Sequence, residues 1–281
     1  MIIARLHGGL GNQLFQYAAG RSLALRLGVP LGLDERRLEP LGLRSARGHF
    51  AWQVAAPPFA LPPDRGESLA RYALWRAFGS RPILRREHGL GFNSGFEHWG
   101  DDSYLHGYWQ SERYFSDITE TLRQDLRIVT PASPRNAEMA RRIAAADSVS
   151  LHVRRGDYLQ IAAHNICTED YFRRALNRIV DVSGITPTVF VFSDDPAWAI
   201  ANLSLPYEKV VVDFNGREAD YEDLRLMSLC RHNVIANSSF SWWGAWLNAN
   251  PDKLVAGPTR WFADHHRSNP DILPHDWLAV S

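Results

Sequence analysis

The chain has 281 residues, and 31 lysines and arginines are matched by 31 aspartates and glutamates. That length suits one large domain or two modest ones, and formal neutrality argues against an electrostatic binder of nucleic acid. The two cysteines, Cys167 and Cys230, form neither a CxxC pair nor a zinc set.

No apolar run reaches the ~18 residues of a membrane span, and the N-terminus lacks the basic and apolar regions of a secretory leader. The expectation is a cytoplasmic protein, with peripheral association at the inner membrane face left open. The ten tryptophans suit stacking on sugar rings and suit an ordinary core equally.

Residues 2–6 predict a short first strand. It runs into the glycine-rich turn His7-Gly8-Gly9-Leu10-Gly11-Asn12-Gln13 and then a helix to about Leu27, with Phe15, Ala19, Leu23 and Leu27 as its buried stripe. Gly28 and Pro30 stop that helix. Strand, glycine turn and helix together bring backbone N–H groups to an anionic ligand, with a plain tight turn as the alternative. The glycine spacing matches neither the Walker pattern nor GxGxxG, which excludes an ATPase or NAD reading.

Between Asp34 and Asp101 the prolines Pro57-Pro58 and Pro62-Pro63 mark irregular chain. Residues 67–78 predict a helix, and this motif-poor region is the expected place for acceptor contacts. Further on, 103–109 predict a strand and 116–127 a helix; Pro131 and Pro134 then break the chain before a helix over 136–146. The domain boundary is expected between residues 147 and 148.

The stretch Val149-Ser150-Leu151-His152-Val153-Arg154-Arg155-Gly156-Asp157-Tyr158 is the chemical centre of the sequence. Alternation buries Val149, Leu151 and Val153 and sets His152 and Arg154 side by side on the open face. Arg155 points the other way. Adjacent donors at the end of a buried strand suit phosphate oxygens, and ligands of open α/β sheets collect beyond the carboxyl ends of the strands. The alternative is an ion-paired arginine on a sheet rim. The Arg-Gly-Asp tripeptide is no adhesion loop when it directly follows a core strand.

From there strands at about 149–154, 188–192, 209–213, 233–236 and 253–256 alternate with helices at about 169–182, 196–203, 220–231 and 239–249. This is the pattern of a parallel, Rossmann-like α/β sheet. Thr188-Val189-Phe190-Val191-Phe192 leads to Ser193-Asp194-Asp195-Pro196. There Asp195 caps a helix begun by Pro196, and Asp194 is left to accept from a guanine edge. With one carboxylate capping, a metal pair is not expected. Asn237-Ser238-Ser239-Phe240 opens another helix, whose first N–H groups suit phosphate, although simple capping would use the same residues.

Taken together, the motifs resemble those of the bacterial α-1,2-fucosyltransferases, glycosyltransferase family 11. The resemblance rests on Gly8-Gly9-Leu10-Gly11-Asn12-Gln13-Leu14-Phe15-Gln16-Tyr17, Gly107-Tyr108-Trp109-Gln110-Ser111-Glu112, the arginine motif from His152 to Tyr158, Phe192 to Pro196, and Asn237 to Leu247. It spans nearly the whole chain in order. The arginine motif is shared with α-1,6- and protein O-fucosyltransferases.

The resemblance implies an α/β, GT-B-like fold of two Rossmann-like domains facing a central cleft. Residues 1–147 would form the mainly acceptor-side domain and 148–281 the GDP-fucose-binding one, with the last residues free to pack back on the first domain. It implies inverting transfer of L-fucose from GDP-β-L-fucose, without a metal, to the 2-hydroxyl of galactose in a glycan such as a bacterial surface polysaccharide or O-antigen.

Carried over by position, His152 and Arg154 would meet the donor, with Arg155 either assisting there or bracing the loop, Ser193 and Asp194 would meet the nucleoside, and Asn237, Ser238, Ser239 and Phe240 phosphate and base. Gly11 and Asn12 would reach the pyrophosphate. Arg154 and Asn12 would oppose the charge of the leaving group, and Asp157 and His164 are candidate bases. The stretch Cys167-Thr168-Glu169-Asp170 departs from the family's usual apolar third residue. The alternatives are an α-1,6- or other GDP-sugar transferase and a non-catalytic sugar-binding module; the last leaves the His152/Arg154 pair and both phosphate-type turns unexplained.

Overall fold

A computed structural model of the chain describes residues 1–54, 82–155, 166–264 and 266–281. The chain divides into two compact units, Met1–Arg127 and Ile128–Ser281. The helix expected over 67–78 lies outside the described residues.

The first unit contains β1 (Ile2–Arg5), α1 (Leu10–Leu27), β2 (Leu31–Asp34), β3 (Ile83–Arg86), β4 (Ser103–His106) and α2 (Thr119–Asp125). Its strands are parallel in the order β2-β1-β4-β3. Helix α1 ends where Gly28 takes the left-handed conformation at φ +64°, as a glycine there does without steric cost. It packs close on the sheet, because a Cβ at Gly20 would lie 2.9 Å from the Ala4 Cβ and 2.9 Å from a Leu31 methyl. Its far side is tied to α2 through Asp125, which accepts from the Tyr17 hydroxyl at 2.8 Å and from Arg21 Nε at 2.8 Å.

The second unit contains α3 (Pro134–Ala144), β5 (Ser148–Val153), α4 (Glu169–Ser183), β6 (Thr188–Ser193), α5 (Pro196–Asn202), β7 (Glu208–Val212), α6 (Asp220–Leu229), β8 (His232–Val234), α7 (Ser239–Leu247), β9 (Val255–Pro258) and β10 (Leu278–Val280). All six strands are parallel, in the order β10-β9-β8-β5-β6-β7. This is the doubly wound arrangement, whose strand order reverses between β5 and β8.

One face of the second sheet packs Val149, Leu151 and Val153 against Tyr171, Phe172, Leu176 and Ile179 of α4. On the other face Asn233 donates to the Ser150 hydroxyl at 2.7 Å and to the Met227 carbonyl at 2.9 Å. Asn248 donates in turn to Asn233 at 2.8 Å, so these buried amides satisfy one another.

One boundary differs from expectation. The units divide after Arg127, earlier than 147, because α3 packs on α6 and Asn136 donates to Asn215 at 2.9 Å. The last residues extend the second sheet, with β10 beside β9 and Arg174 Nε donating to the Ser281 carbonyl at 2.8 Å. Among the described residues no helix is long and apolar enough to cross a membrane.

The close approach at Gly20 generates a prediction. Gly20→Val forces two methyl groups into space already held by Ala4 and Leu31, and overpacking of this kind costs about 1–3 kcal/mol. Urea unfolding should show a lower midpoint at unchanged slope; an unshifted midpoint would mean that α1 sits farther from the sheet.

Candidate active site

In the second unit the chemistry collects where β5 and β8 end. Every residue of β5 is buried, including His152 at 3% exposure. The face expected to be open is therefore covered at His152, whose ring lies 5.5 Å from that of Phe240 at the start of α7. Only at Arg154 does the strand emerge, with the side chain 32% exposed.

Among the described residues the buried His152 Nδ1 has no hydrogen-bond partner. Burial, and after it the positive charge of Arg154, lowers its pKa to about 3. The imidazole is neutral, with an unmet nitrogen at the switch point of the sheet.

The register of β5 on β6 sets Val153 opposite Ser193, which brings the next residues together. Asp194 Oδ2 lies 3.2 Å from Arg154 Nη1, and Asp194 Oδ1 accepts from the Arg155 amide at 2.8 Å. This changes the expectation for Asp194: its carboxylate already holds the arginine strand end, so a guanine edge is not needed to explain it. Asp195 caps α5 as expected, accepting from the Trp198 amide at 3.1 Å. The Ser193 hydroxyl accepts from the Asp195 amide at 3.0 Å and braces the same turn.

Arg155 turns to the opposite side, its guanidinium carbon 3.7 Å from the centre of the Trp198 ring and its Nε 3.6 Å from Asp195. It braces the turn. Sequence reasoning missed Trp198, because nothing local marks a helix tryptophan as the platform for an arginine 43 positions away.

Asn237 is also fixed. Its amide donates to the Trp261 carbonyl at 3.1 Å, and its oxygen accepts from the Cys167 thiol at 3.4 Å. Burial pushes the Cys167 pKa up to about 12, so sulfur stays a donor. Ser238 precedes α7 without a side-chain capping bond. The first-turn amides of α7, at Ser239, Phe240 and Ser241, have no carbonyl of their own helix to meet. Neutral His152, Arg154 and a helix N-terminus suit a phosphate group.

The glycine turn of the first unit is built differently from expectation, since α1 already begins at Leu10 and contains Gly11 and Asn12. Gly8 has φ +79°, and a Cβ there would come within 2.5 Å of Asn12 Nδ2. Asn12 Oδ1 accepts from Gln110 at 2.7 Å, and Gln16 donates to the Gly107 carbonyl at 3.2 Å. The two most distinctive stretches of this half are thereby locked to each other. Trp109 holds φ +56°, with the Glu87 carboxylate accepting from the Tyr108 amide at 2.6 Å and the Trp109 amide at 2.8 Å. The candidate bases Asp157 and His164 lie outside the described residues.

Buried His152 makes stability depend on pH, and the sign follows from its lowered pKa. In the unfolded chain its imidazole takes a proton near 6.5, whereas the folded form resists until about 3. Its stabilising contribution is therefore complete above pH 6.5 and is lost as pH falls through this window. By pH 5 the loss is about 2 kcal/mol, from 1.36 kcal/mol per unit. Urea midpoints measured between pH 7 and 4.5 should fall more steeply in the parent than in His152→Asn; equal slopes would place the titrating group elsewhere.

Residues 93–281 match the model of glycosyl transferase family 11. The chain is 30% identical to an α-1,2-colitosyltransferase of Escherichia coli, over 100% of this chain and 99% of that protein. It is 31% identical to the Escherichia coli O-antigen biosynthesis glycosyltransferase WbnK, over 98% and 99%. To the galactoside α-(1,2)-fucosyltransferase 1 of Leontocebus fuscicollis the identity is 23%, over 98% and 73%.

Among solved structures, fucosyltransferase NodZ from Bradyrhizobium superposes with a TM-score of 0.51 at 14% identity, over 86% of this chain and 91% of that one. At that identity the likeness speaks for the fold, which is α/β and GT-B-like. The match of the family model to most of the chain, and of a relative at 30% identity to all of it, makes this protein a member of glycosyl transferase family 11.

Proposed function

We propose that the protein is a galactoside α-1,2-L-fucosyltransferase that moves L-fucose from GDP-β-L-fucose to the 2-hydroxyl of galactose in a glycan of the bacterial surface. The observation that carries the reading is the end of β5. Neutral His152 lies against Phe240 in the first turn of α7, and Arg154, held by Asp194, follows it at the end of the same strand, at the switch point of a doubly wound sheet. The relatives whose names specify an α-1,2 linkage support the regiochemistry, and a structure of NodZ co-crystallised with GDP supports a guanine nucleotide.

In this reaction the bond from the anomeric carbon to the β-phosphate oxygen breaks as the galactose oxygen bonds from the opposite face. Configuration at the anomeric carbon inverts. Negative charge grows on the departing diphosphate while the sugar ring becomes oxocarbenium-like. Arg154 and the first-turn amides of α7 meet that charge, and a single preorganised donor of this kind is worth about 3–4 kcal/mol in the transition state.

Asp194 keeps Arg154 pointed and so removes the cost of ordering it at the moment of reaction. His152 leaves the charge to Arg154 and offers a hydrogen bond. The hydroxyl proton leaves to a base, for which Asp157 and His164 are the candidates.

A colitosyl donor is the second reading, favoured by the relative that matches the full chain. An assay offering GDP-fucose and a colitosyl nucleotide with lactose, followed by linkage analysis, separates the two. Faster transfer of fucose, to O2, is expected, and it should persist in EDTA. The motive for the last point is that Asp194 and Asp195 are engaged with Arg154, Arg155 and a helix cap. Loss of turnover in chelator, restored by Mg²⁺ or Mn²⁺, would return these carboxylates to metal binding.

Arg154→Ala should lower kcat on the order of a hundredfold or more at near-native thermal stability. A raised KM with native kcat would move the leaving group away from Arg154.

A further inference from the structure

The carboxyl ends of the first unit's strands form a single row. Asp34, Arg5 and Arg86 end β2, β1 and β3, and His106 ends β4. In the strand register Arg5 lies opposite Asp34 and Arg86 opposite His106, while Ala4 opposite Leu105 continues the row from Arg5 to His106. Residues paired across a parallel sheet share a face, so one face of this edge carries an acid, two guanidinium groups and an imidazole.

His7, two residues beyond Arg5, places its ring 5.9 Å from His106 and 4.6 Å from Tyr108, which is 39% exposed. The strand order reverses between β1 and β4, the position at which α/β sheets bind ligands.

The charges on this row do not cancel. Asp34 is taken by Arg36, at 2.8 and 2.7 Å, and by the Tyr104 hydroxyl at 2.7 Å. Glu87 is taken by the two backbone amides of the Tyr108–Trp109 turn. Among the described residues Arg5 and Arg86 pair with no carboxylate. Burial and then neighbouring positive charge lower the pKa of both histidines, His7 to about 4. Gln16 fixes the His7 ring through Nδ1 at 3.0 Å.

A guanidinium pair beside neutral imidazoles and an exposed aromatic ring lacks one thing, an anion attached to something that hydrogen-bonds and stacks. We infer that Arg5, Arg86, His7, His106 and Tyr108 form a subsite for a carboxylate-bearing sugar of the acceptor glycan. Tyr108 lies under the sugar ring, the imidazoles take its hydroxyls, and the guanidinium groups take its carboxylate.

The inference rests on the proposed transferase reading, and two measurements keep them separate. Lactobionate carries the galactose of lactose on an open-chain gluconate, so the two galactosides differ in one carboxylate and in an opened glucose ring, and the dependence on Arg5 and Arg86 isolates the carboxylate. Titration of the full chain at low salt should show lactobionate binding about tenfold more tightly, or 1.4 kcal/mol. That preference should shrink in Arg5→Gln and in the exposed Arg86→Gln, while Tyr108→Ala weakens both sugars together.

Equal affinity for the two sugars in the parent chain overturns the subsite. So does an Arg5→Gln protein of native thermal stability that keeps the full preference, or one that loses GDP affinity instead. In a separate assay, transfer from GDP-fucose to both sugars at equal kcat/KM overturns the subsite and leaves the reaction standing. Arginine-dependent preference for lactobionate without transfer does the reverse.

Discussion

The pairing of β5 with β6 governs the candidate site of the second unit. With Val153 opposite Ser193, the chain delivers Arg154 and Asp194 to adjacent strand ends, where they meet at 3.2 Å. A guanidinium at the rim of a buried sheet has lost part of its hydration, and a carboxylate held by the same register returns it as a charge-assisted bond. Asp194 also takes the Arg155 amide at 2.8 Å, so the backbone is fixed together with the side chain. A one-residue slip of β6 would carry Asp194 to the other face, undoing both contacts at once. The hydrophobic runs that set the register, Val149-Leu151-Val153 and Val189-Phe190-Val191-Phe192, therefore hold the site as surely as its polar residues do.

The first unit repeats this logic with different residues. Its glycine turn is less a free anion cradle than a clamp, since Gly8 leaves room for Asn12, Asn12 accepts from Gln110, and Gln16 donates to Gly107. The clamp stabilises the positive φ of Trp109, a conformation that costs a bulky residue on the order of 1–3 kcal/mol and persists only where its surroundings over-determine it. Two stretches about ninety residues apart in sequence are thus one structural object, and the strand ends they frame are held in register.

Most of the second unit was legible, because β5 and β6 are largely apolar runs and its helix starts carry caps, as at Asp195-Pro196, whereas the short, part-exposed β10 was not read. The first unit was less so. Strand β2 is only four residues, and β3 reads Ile-Leu-Arg-Arg with Ile83 at 52% and Leu84 at 48% exposure, so neither offers an alternating pattern to find.

The sites follow the same division. Asp195 as a cap is a local fact and was readable. The Arg154–Asp194 pair, the Trp198 platform and the burial of His152 against Phe240 depend on which strands and helices become neighbours. No window of sequence contains that information.

Both units place histidine beside arginine at the carboxyl end of a central strand, and in both the histidine stays uncharged. His152 is held there by burial and then Arg154, and His7 by burial, His106 and Arg5. The division of labour follows from electrostatics. Two adjacent cations in a partly desolvated site repel, and the group with the lower proton affinity gives way, which is always imidazole before guanidinium. What remains is one fixed charge and one neutral ring that accepts or donates a hydrogen bond. An anion linked to a hydroxylated ring presents that combination of demands. The two ligands proposed, a nucleotide sugar at β5 and an acidic glycan at β1, are thus two answers to one arrangement of side chains.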